Sequence, residues 1–316
     1  MLPQYNVAEL IEGIKIRCTV PESQLTYTPR IFAKIATQTL FDQVIPFIMK
    51  SREEYFVEYI DVFTNSDGVI DIPDYCVGEK LRSVCYVSQA SPLVMVNLPR
   101  INLDVVAGVG YNNYNTVSGF YVQDNSIILY PNKSVPPNTN IRLYFYKRRL
   151  NLIEPDLYGQ IISFDSDAGS VVLDNVPDTW EVGTVINCVS SVQPFKTVNS
   201  SMTITAISSP TVFFDTVEDI SVDDYLSEKG FSAIPQIPIE AMGYLEQLSA
   251  VRILQGQADK SGLEDAKAIA NDLGVSLQVV ISERVDGSTK KIMNPNGGLR
   301  LGAGLGRWSR GWTGAS

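Results

Sequence analysis

Apolar residues recur at helical spacing near both ends of this chain and at a spacing of two through its middle. Asn6 is placed to cap a short helix reaching about Arg17, with Leu10, Ile11, Ile14 and Ile16 as its apolar positions and Pro21 ending it. Thr28-Pro29 marks a second start, Thr28 as N-cap and Pro29 at the first helical position. From there Ile31, Phe32, Ile35, Ala36, Thr39, Leu40, Gln43, Val44, Phe47 and Ile48 hold an amphipathic spacing to about Ser51. Pro46 lacks an N–H and crowds the turn before it, so it predicts a kink.

The period then changes. Tyr55, Val57, Tyr59, Asp61 and Phe63 alternate with Phe56, Glu58, Ile60 and Val62, which predicts a strand. Asn65 to Gly68 is a turn signal, and Val69–Pro73, Leu81–Val87 and Leu93–Leu98 are further strands. Gly119–Val122 and Ser126–Tyr130 flank Asp124-Asn125 as a hairpin, and Asn140–Arg148 closes the section. A second β unit follows: a hairpin of Tyr158–Phe164 and Ser170–Asp174 around the turn Asp165–Gly169, then strands at Thr184–Ser190, Met202–Ile207 and Val212–Phe214. Helical spacing returns from Pro238 to about Ala258, with Met242, Leu245, Leu248, Val251, Leu254 and Gln255 on one side. After a break at Asp259–Gly262 it resumes from Leu263 to about Arg284, carrying Ala266, Ile269, Ala270, Leu273, Leu277, Val280 and Ile281, with Gly274 as a weak point.

The pattern predicts an α+β fold: a helical bundle from N- and C-terminal segments, inserted antiparallel β units, and an extended C-terminal arm. The expected boundaries are N-terminal helices over 1–52, an antiparallel β region over 53–154, and a small inserted barrel or sandwich over 155–216. C-terminal helices over 217–286 and the arm over 287–316 complete the chain.

Composition narrows the chemistry. The 316 residues contain no His, which removes the commonest general base and metal ligand and excludes Ser-His-Asp and Cys-His catalysis. The four cysteines, Cys18, Cys76, Cys85 and Cys188, form no CxxC pair and predict free buried thiols, with a Cys76–Cys85 bridge as the alternative. No signal peptide and no membrane-spanning run is expected. Asp165, Asp167 and Gly169 predict a hairpin turn rather than a calcium loop. Glu53-Glu54 and Asp223-Asp224 predict solvated carboxylate pairs rather than a catalytic pair, and Lys147-Arg148-Arg149 a solvated strand end, with DNA or an acidic neighbour as its other use. No catalytic, cofactor-binding or metal-ligating residue is assigned, and no cofactor is expected.

Charge is split. The net charge is −10, yet Lys290, Lys291, Arg300, Arg307 and Arg310 follow the last acid, Asp286, and give residues 287–316 a charge of +5. The first 286 residues therefore carry −15 and are a poor match for phosphate. The terminal segment also holds Trp308 and Trp312, two of the three Trp, among eight glycines. Leu301–Gly306 lacks the flanking strand and helix of a dinucleotide loop. Arg and Trp are favoured interface anchors, so Lys290, Lys291, Arg300, Arg307, Trp308, Arg310 and Trp312 are the candidate partner-binding residues.

Several segments, taken in order, resemble one family. Leu40-Phe41-Asp42-Gln43-Val44-Ile45-Pro46-Phe47-Ile48-Met49-Lys50-Ser51-Arg52-Glu53-Glu54-Tyr55-Phe56 is similar to the opening of tailed-phage structural proteins in which a helix runs into a V-P-x-[LI]-M-x-x-R-E-E-Y motif. Lys80-Leu81-Arg82 with Val84–Val87, Leu98-Pro99-Arg100-Ile101, and Gly119-Phe120-Tyr121 with Ile127–Pro131 follow in the family's order. So do Ile161–Asp165 with Gly169–Val172, then Ile281–Gly287 and Lys290-Lys291-Ile292. The match spans about residues 7–300 and resembles the head-to-tail adaptor, or head-completion, proteins of short-tailed and crAss-like phages.

The resemblance implies a structural virion protein of the neck, made in the host bacterial cytoplasm, and not an enzyme. It implies a closed ring of identical subunits, commonly a dodecamer, beneath the portal protein, with a tail or second neck-ring protein below. DNA passes through such a ring without sequence-specific binding, no membrane is involved, and the C-terminal arm docks on the portal. Two rivals stand beside it: a tail or receptor/carbohydrate-binding virion protein, suggested by the β content and the 15 Tyr, and a carboxylate enzyme such as a cell-wall hydrolase.

Overall fold

Asn6 does cap the first helix, α1 (Val7–Arg17): its Oδ1 accepts the Glu9 N–H at 3.0 Å. Val7, Leu10, Ile11 and Ile14 are buried, but Ile16 is 76% exposed, because it lies two residues, roughly 200° of helix, from Ile14. The computed structural model describes residues 5–19, 26–65, 67–90, 93–102, 117, 119–130, 136, 138–257 and 260–282. Pro21, Ser66, Pro131 and the segment 283–316 lie outside them.

Helix α2 (Pro29–Thr39) starts at Thr28-Pro29, although the Thr28 hydroxyl makes no capping bond. The disturbance expected at Pro46 falls one turn earlier. Leu40–Val44 is a π-turn, in which the Ile45 N–H reaches back five residues to the Leu40 carbonyl, before α3 (Ile45–Ser51) resumes. The wider turn is the place to absorb a residue that offers no N–H and clashes with the carbonyl four residues before it.

The chain's last two described helices are α4 (Met242–Gln257) and α5 (Lys260–Ile281). A one-sided apolar stripe was expected on α4, but it is buried nearly all round, including Glu246, Gln247 and Ser249. It is sandwiched: α1, α2 and α5 all pack on it. Two of its buried polar groups, Glu246 and Gln247, are paired, whereas Ser249 Oγ is buried without a hydrogen-bond partner. Arg17 donates to Glu246 Oε2 at 3.0 Å and to Gln247 Oε1 at 2.9 Å, and Gln247 Nε2 donates to the Ala266 carbonyl at 3.0 Å. Gly274, expected as a weak point in α5, faces the Tyr244 ring, where a Cβ would sit 3.4 Å from its Cε2. That is ordinary van der Waals contact, so a side chain of one carbon would fit there. Side chains from all five helices share one hydrophobic core with Phe56, Tyr146, Leu152, Ile153 and Phe195.

Two antiparallel sheets form a second core. A four-stranded sheet contains β1 (Val57–Phe63), β3 (Cys76–Ala90), β4 (Leu93–Leu98) and β7 (Asn140–Lys147), in the order β1-β7-β3-β4. A three-stranded sheet contains β2 (Val69–Asp71), β5 (Gly119–Gln123) and β6 (Ser126–Tyr130), in the order β2-β6-β5. Ile70, Phe120, Ile127 and Leu129 of the smaller sheet meet Val84, Ile141, Leu143 and Phe145 of the larger. β3 is twice as long as its apolar run suggested, and β1 starts after a 3₁₀ turn at Glu53–Phe56.

The third core fills a closed six-stranded barrel of β9 (Tyr158–Asp165), β10 (Ser170–Leu173), β11 (Val185–Val189), β12 (Thr197–Ser208), β13 (Thr211–Phe214) and β14 (Tyr225–Glu228). The barrel therefore runs past the boundary drawn at residue 216, because β14 closes it by pairing with both β9 and β11. Its two connections to the rest of the chain pair with each other as short parallel strands, β8 (Asn151–Leu152) and β15 (Phe231–Ser232). The Leu152 N–H donates to Thr37 Oγ1 at 3.1 Å, and Asn187 Nδ2 donates to the Phe231 carbonyl at 2.9 Å, so both connections are fastened.

Candidate interaction surfaces

All seven candidate partner-binding residues, Lys290, Lys291, Arg300, Arg307, Trp308, Arg310 and Trp312, lie outside the described residues. Surfaces within the described residues must be built from their own side chains.

The acidic pairs are not simply solvated. Asp224 is 2% exposed and accepts the N–H groups of Ser191 and Ser221, each at 2.9 Å, so it ties two barrel loops together. Glu53 accepts from the Tyr146 hydroxyl at 2.7 Å, and Glu54 from Arg82 at 2.9 Å. The backbone of its own turn and the Arg82 hydrogen bond hold the Glu54 carboxyl below the usual range. Asp165 accepts the N–H groups of Asp167 and Ala168 at 3.0 and 3.2 Å, an ordinary hairpin turn. Among the described residues no group of three His, Cys, Asp or Glu could hold a metal ion. All four cysteines are free and buried, so Cys76 and Cys85 are not bridged. Burial pushes the Cys18 thiol up to about 11.

The Lys147-Arg148-Arg149 end of β7 is also unlike its expectation: only Arg148 is exposed. Arg149 is 4% exposed, with its guanidinium 5.0 Å from the Phe56 ring centre and 5.6 Å from that of Tyr55. It donates to the Tyr55 carbonyl at 3.0 Å and lies 3.7 Å from Glu58 Oε1, whose other oxygen accepts from Lys147 at 2.9 Å. Burial pulls its pKa down while Glu58 opposes the shift. The residue is a clamp between sheet and helices, unavailable to DNA. A strand-end triplet of cations looks solvated in sequence because its partners, Phe56 and Glu58, sit roughly ninety residues away.

The outer face of the four-stranded sheet carries Tyr59, Asp61 and Phe63 of β1 beside Tyr144 and Arg142 of β7. Arg142 grips Asp61 with two bonds of 2.7 Å and lies 4.2 Å from the Tyr59 ring centre. That pairing holds the Asp61 carboxyl below the usual range. Tyr59 and Phe63 are 58% and 63% exposed.

At the other side of the same sheet lies β4, the strand expected at Leu93–Leu98, whose exposure the sequence did not reveal. Leu93, Val94, Met95 and Val96 are 48%, 43%, 37% and 52% exposed. The strand holds no charge, and among the described residues it pairs only with β3. Its apolar, uncharged run was the available signal, but buried and exposed strands read alike from such a run. Where β4 leaves the sheet at Leu98, a cavity of about 800 Å³ opens against β3 and β5. Among the described side chains it is lined by Lys80, Arg82 and Arg100, and by no carboxylate. Arg82 is shared with Glu53 and Glu54, and Lys80 lies 4.5 Å from the Tyr146 ring centre.

A scan against protein-family models finds no match to this chain, and a search of curated proteins finds no significant match. No helix among the described residues is long and apolar enough to cross a membrane.

Proposed function

We propose that this chain is a structural virion protein: a head-to-tail adaptor subunit that forms a ring beneath a portal protein and joins it to the tail. In this reading helices from the two ends of the chain form the bundle of the ring, and the sandwich and barrel are insertions. The arm over 287–316 docks on the portal through Lys290, Lys291, Arg300, Arg307, Trp308, Arg310 and Trp312. A twelve-fold ring, a neck position in the virion, a tail or second ring protein below, and assembly from host cytoplasm follow from the same family resemblance. Glu53, Glu54 and Asp224 each bond to neighbours, which favours a structural use of these carboxylates over the enzyme alternative.

The observation that carries the reading is β4. Four consecutive exposed large apolar residues on an uncharged edge strand are a liability in isolation and a contact surface in an assembly. The ordered sequence motifs say which assembly. The −15 charge of the first 286 residues supports a lumen that lets DNA slide past.

Electron microscopy of virions tests the placement: density for this chain between portal and tail is expected, and its location elsewhere overturns the proposal. Deleting residues 287–316 should leave a folded protein that no longer binds portal. Trp308→Ala and Trp312→Ala should each weaken portal binding by about 2 kcal/mol or more. Glycan binding without portal association would favour the receptor-binding alternative.

A further inference from the structure

Among the described residues the four-stranded sheet has two open sides, and both display large apolar groups. On one side is β4, with Leu93 to Val96 exposed; on the other is β1, with Tyr59 and Phe63 exposed. Among the described residues neither strand has a partner beyond its single neighbour in the sheet. We infer that copies of this chain join head to tail by adding β1 of one copy to the open edge of β4 of the next, making one continuous antiparallel sheet. The inference deepens the ring reading and rests on it only for closure into a ring; the edge contact itself stands on the sheet.

Strand direction fits. All three ladders of the sheet are antiparallel, so β1 and β4 run in opposite directions. Placing the next copy's β1 beside β4 keeps the alternation without inverting the molecule. Register fits as well. The ladders align Phe63 with Asn140, Val62 with Ile141 and Tyr86, and Tyr86 with Val96, which puts Val62 and Val96 in one row and Phe63 and Met95 in the next. Continued straight across, Val62 meets Val96 and Phe63 meets Met95.

Charge fits at the foot of the contact. Below β4, Lys80 and Arg100 leave the cavity net positive among the described side chains, while Arg82 is already shared. Below β1, Glu53 and Glu54 divide that one guanidinium and keep 44% and 45% of their side chains exposed. A chain with 35 acids and 25 bases thus sets its basic cavity beside the edge that receives an acidic strand foot. Two β4 strands meeting about a two-fold axis would instead leave Tyr59 and Phe63 uncovered. A heterologous contact repeats, and closes or extends according to its rotation.

The test uses the full chain. Because the native thiols are buried, introduced ones report alone. Phe63→Cys with Met95→Cys in one chain should give a ladder of covalent oligomers under mild oxidation. An equimolar mixture of the two single variants should give dimers and nothing larger. Dimers from Met95→Cys alone would replace the inference with a two-fold contact. Val94→Lys with Val96→Lys should weaken self-association about tenfold or more in sedimentation, since charge on an open edge opposes pairing. Circular dichroism checks that this variant folds, and Val94→Thr with Val96→Thr should retain association. Unchanged association in the lysine variant, or a wild-type chain that stays monomeric into the millimolar range together with a double-cysteine variant that forms no ladder, overturns the inference. A chain that forms the ladder yet is missing from the virion neck sinks the adaptor reading and leaves the edge contact standing. Portal binding without a ladder does the reverse.

Discussion

Polar residues set deep in this protein act across long stretches of sequence. Arg17 meets Glu246 and Gln247 near the other end of the chain, and the Glu246 side chain is only 9% exposed. Glu246→Ala strands the guanidinium, itself 30% exposed, and should cost about 1–2 kcal/mol, somewhat below a fully buried charged hydrogen bond. A double-mutant cycle with Arg17→Ala in urea unfolding measures the coupling. Asp61 gives a pH prediction. Its folded pKa is depressed by Arg142, so its share of stability is fully present above the unfolded value of about 3.9 and is lost as pH falls through the folded value. Carboxyl NMR should place the Asp61 titration below the ordinary Asp range, and Arg142→Gln should return it there. Such pairs were illegible in the sequence, where Glu246 looked like one polar position on a striped helix.

Elements were legible where their period was long. The capped start of α1, the Thr28-Pro29 start of α2, and the β5–β6 hairpin lie where their local chemistry predicts. Misreadings have physical causes. β14 is a four-residue strand, too short for alternation to declare itself, yet it closes the barrel. α4 is buried nearly all round because three helices pack on it, which no single-helix pattern reveals. Close approach between elements also escapes sequence inspection. A Cβ at Gly159 in β9 would overlap the Asn175 carbonyl and press on Leu173. Gly159→Ala should therefore destabilise the protein by about 2–3 kcal/mol, the scale of overpacking against backbone. Thermal unfolding of the variant checks this, and an unchanged midpoint would mean the strand shifts freely.

Over the whole molecule, three separate hydrophobic cores sit within residues 1–282, one among the helices, one between the two sheets and one inside the barrel. Truncation after residue 286 removes no side chain of these cores, so the truncated chain should unfold at the same temperature as the full one. The whole-chain α+β class was readable from the order of periods along the sequence. The open sides of the larger sheet were not, because exposure depends on what the rest of the chain leaves uncovered. The barrel adds a mechanical property. It hangs on two legs, β8 and β15, which bond to each other and run into the same helical core. Tension on its far end divides between both legs, and neither can peel away without shearing the other, so the barrel should swing with the body as a stiff lever and not as a bead on a string.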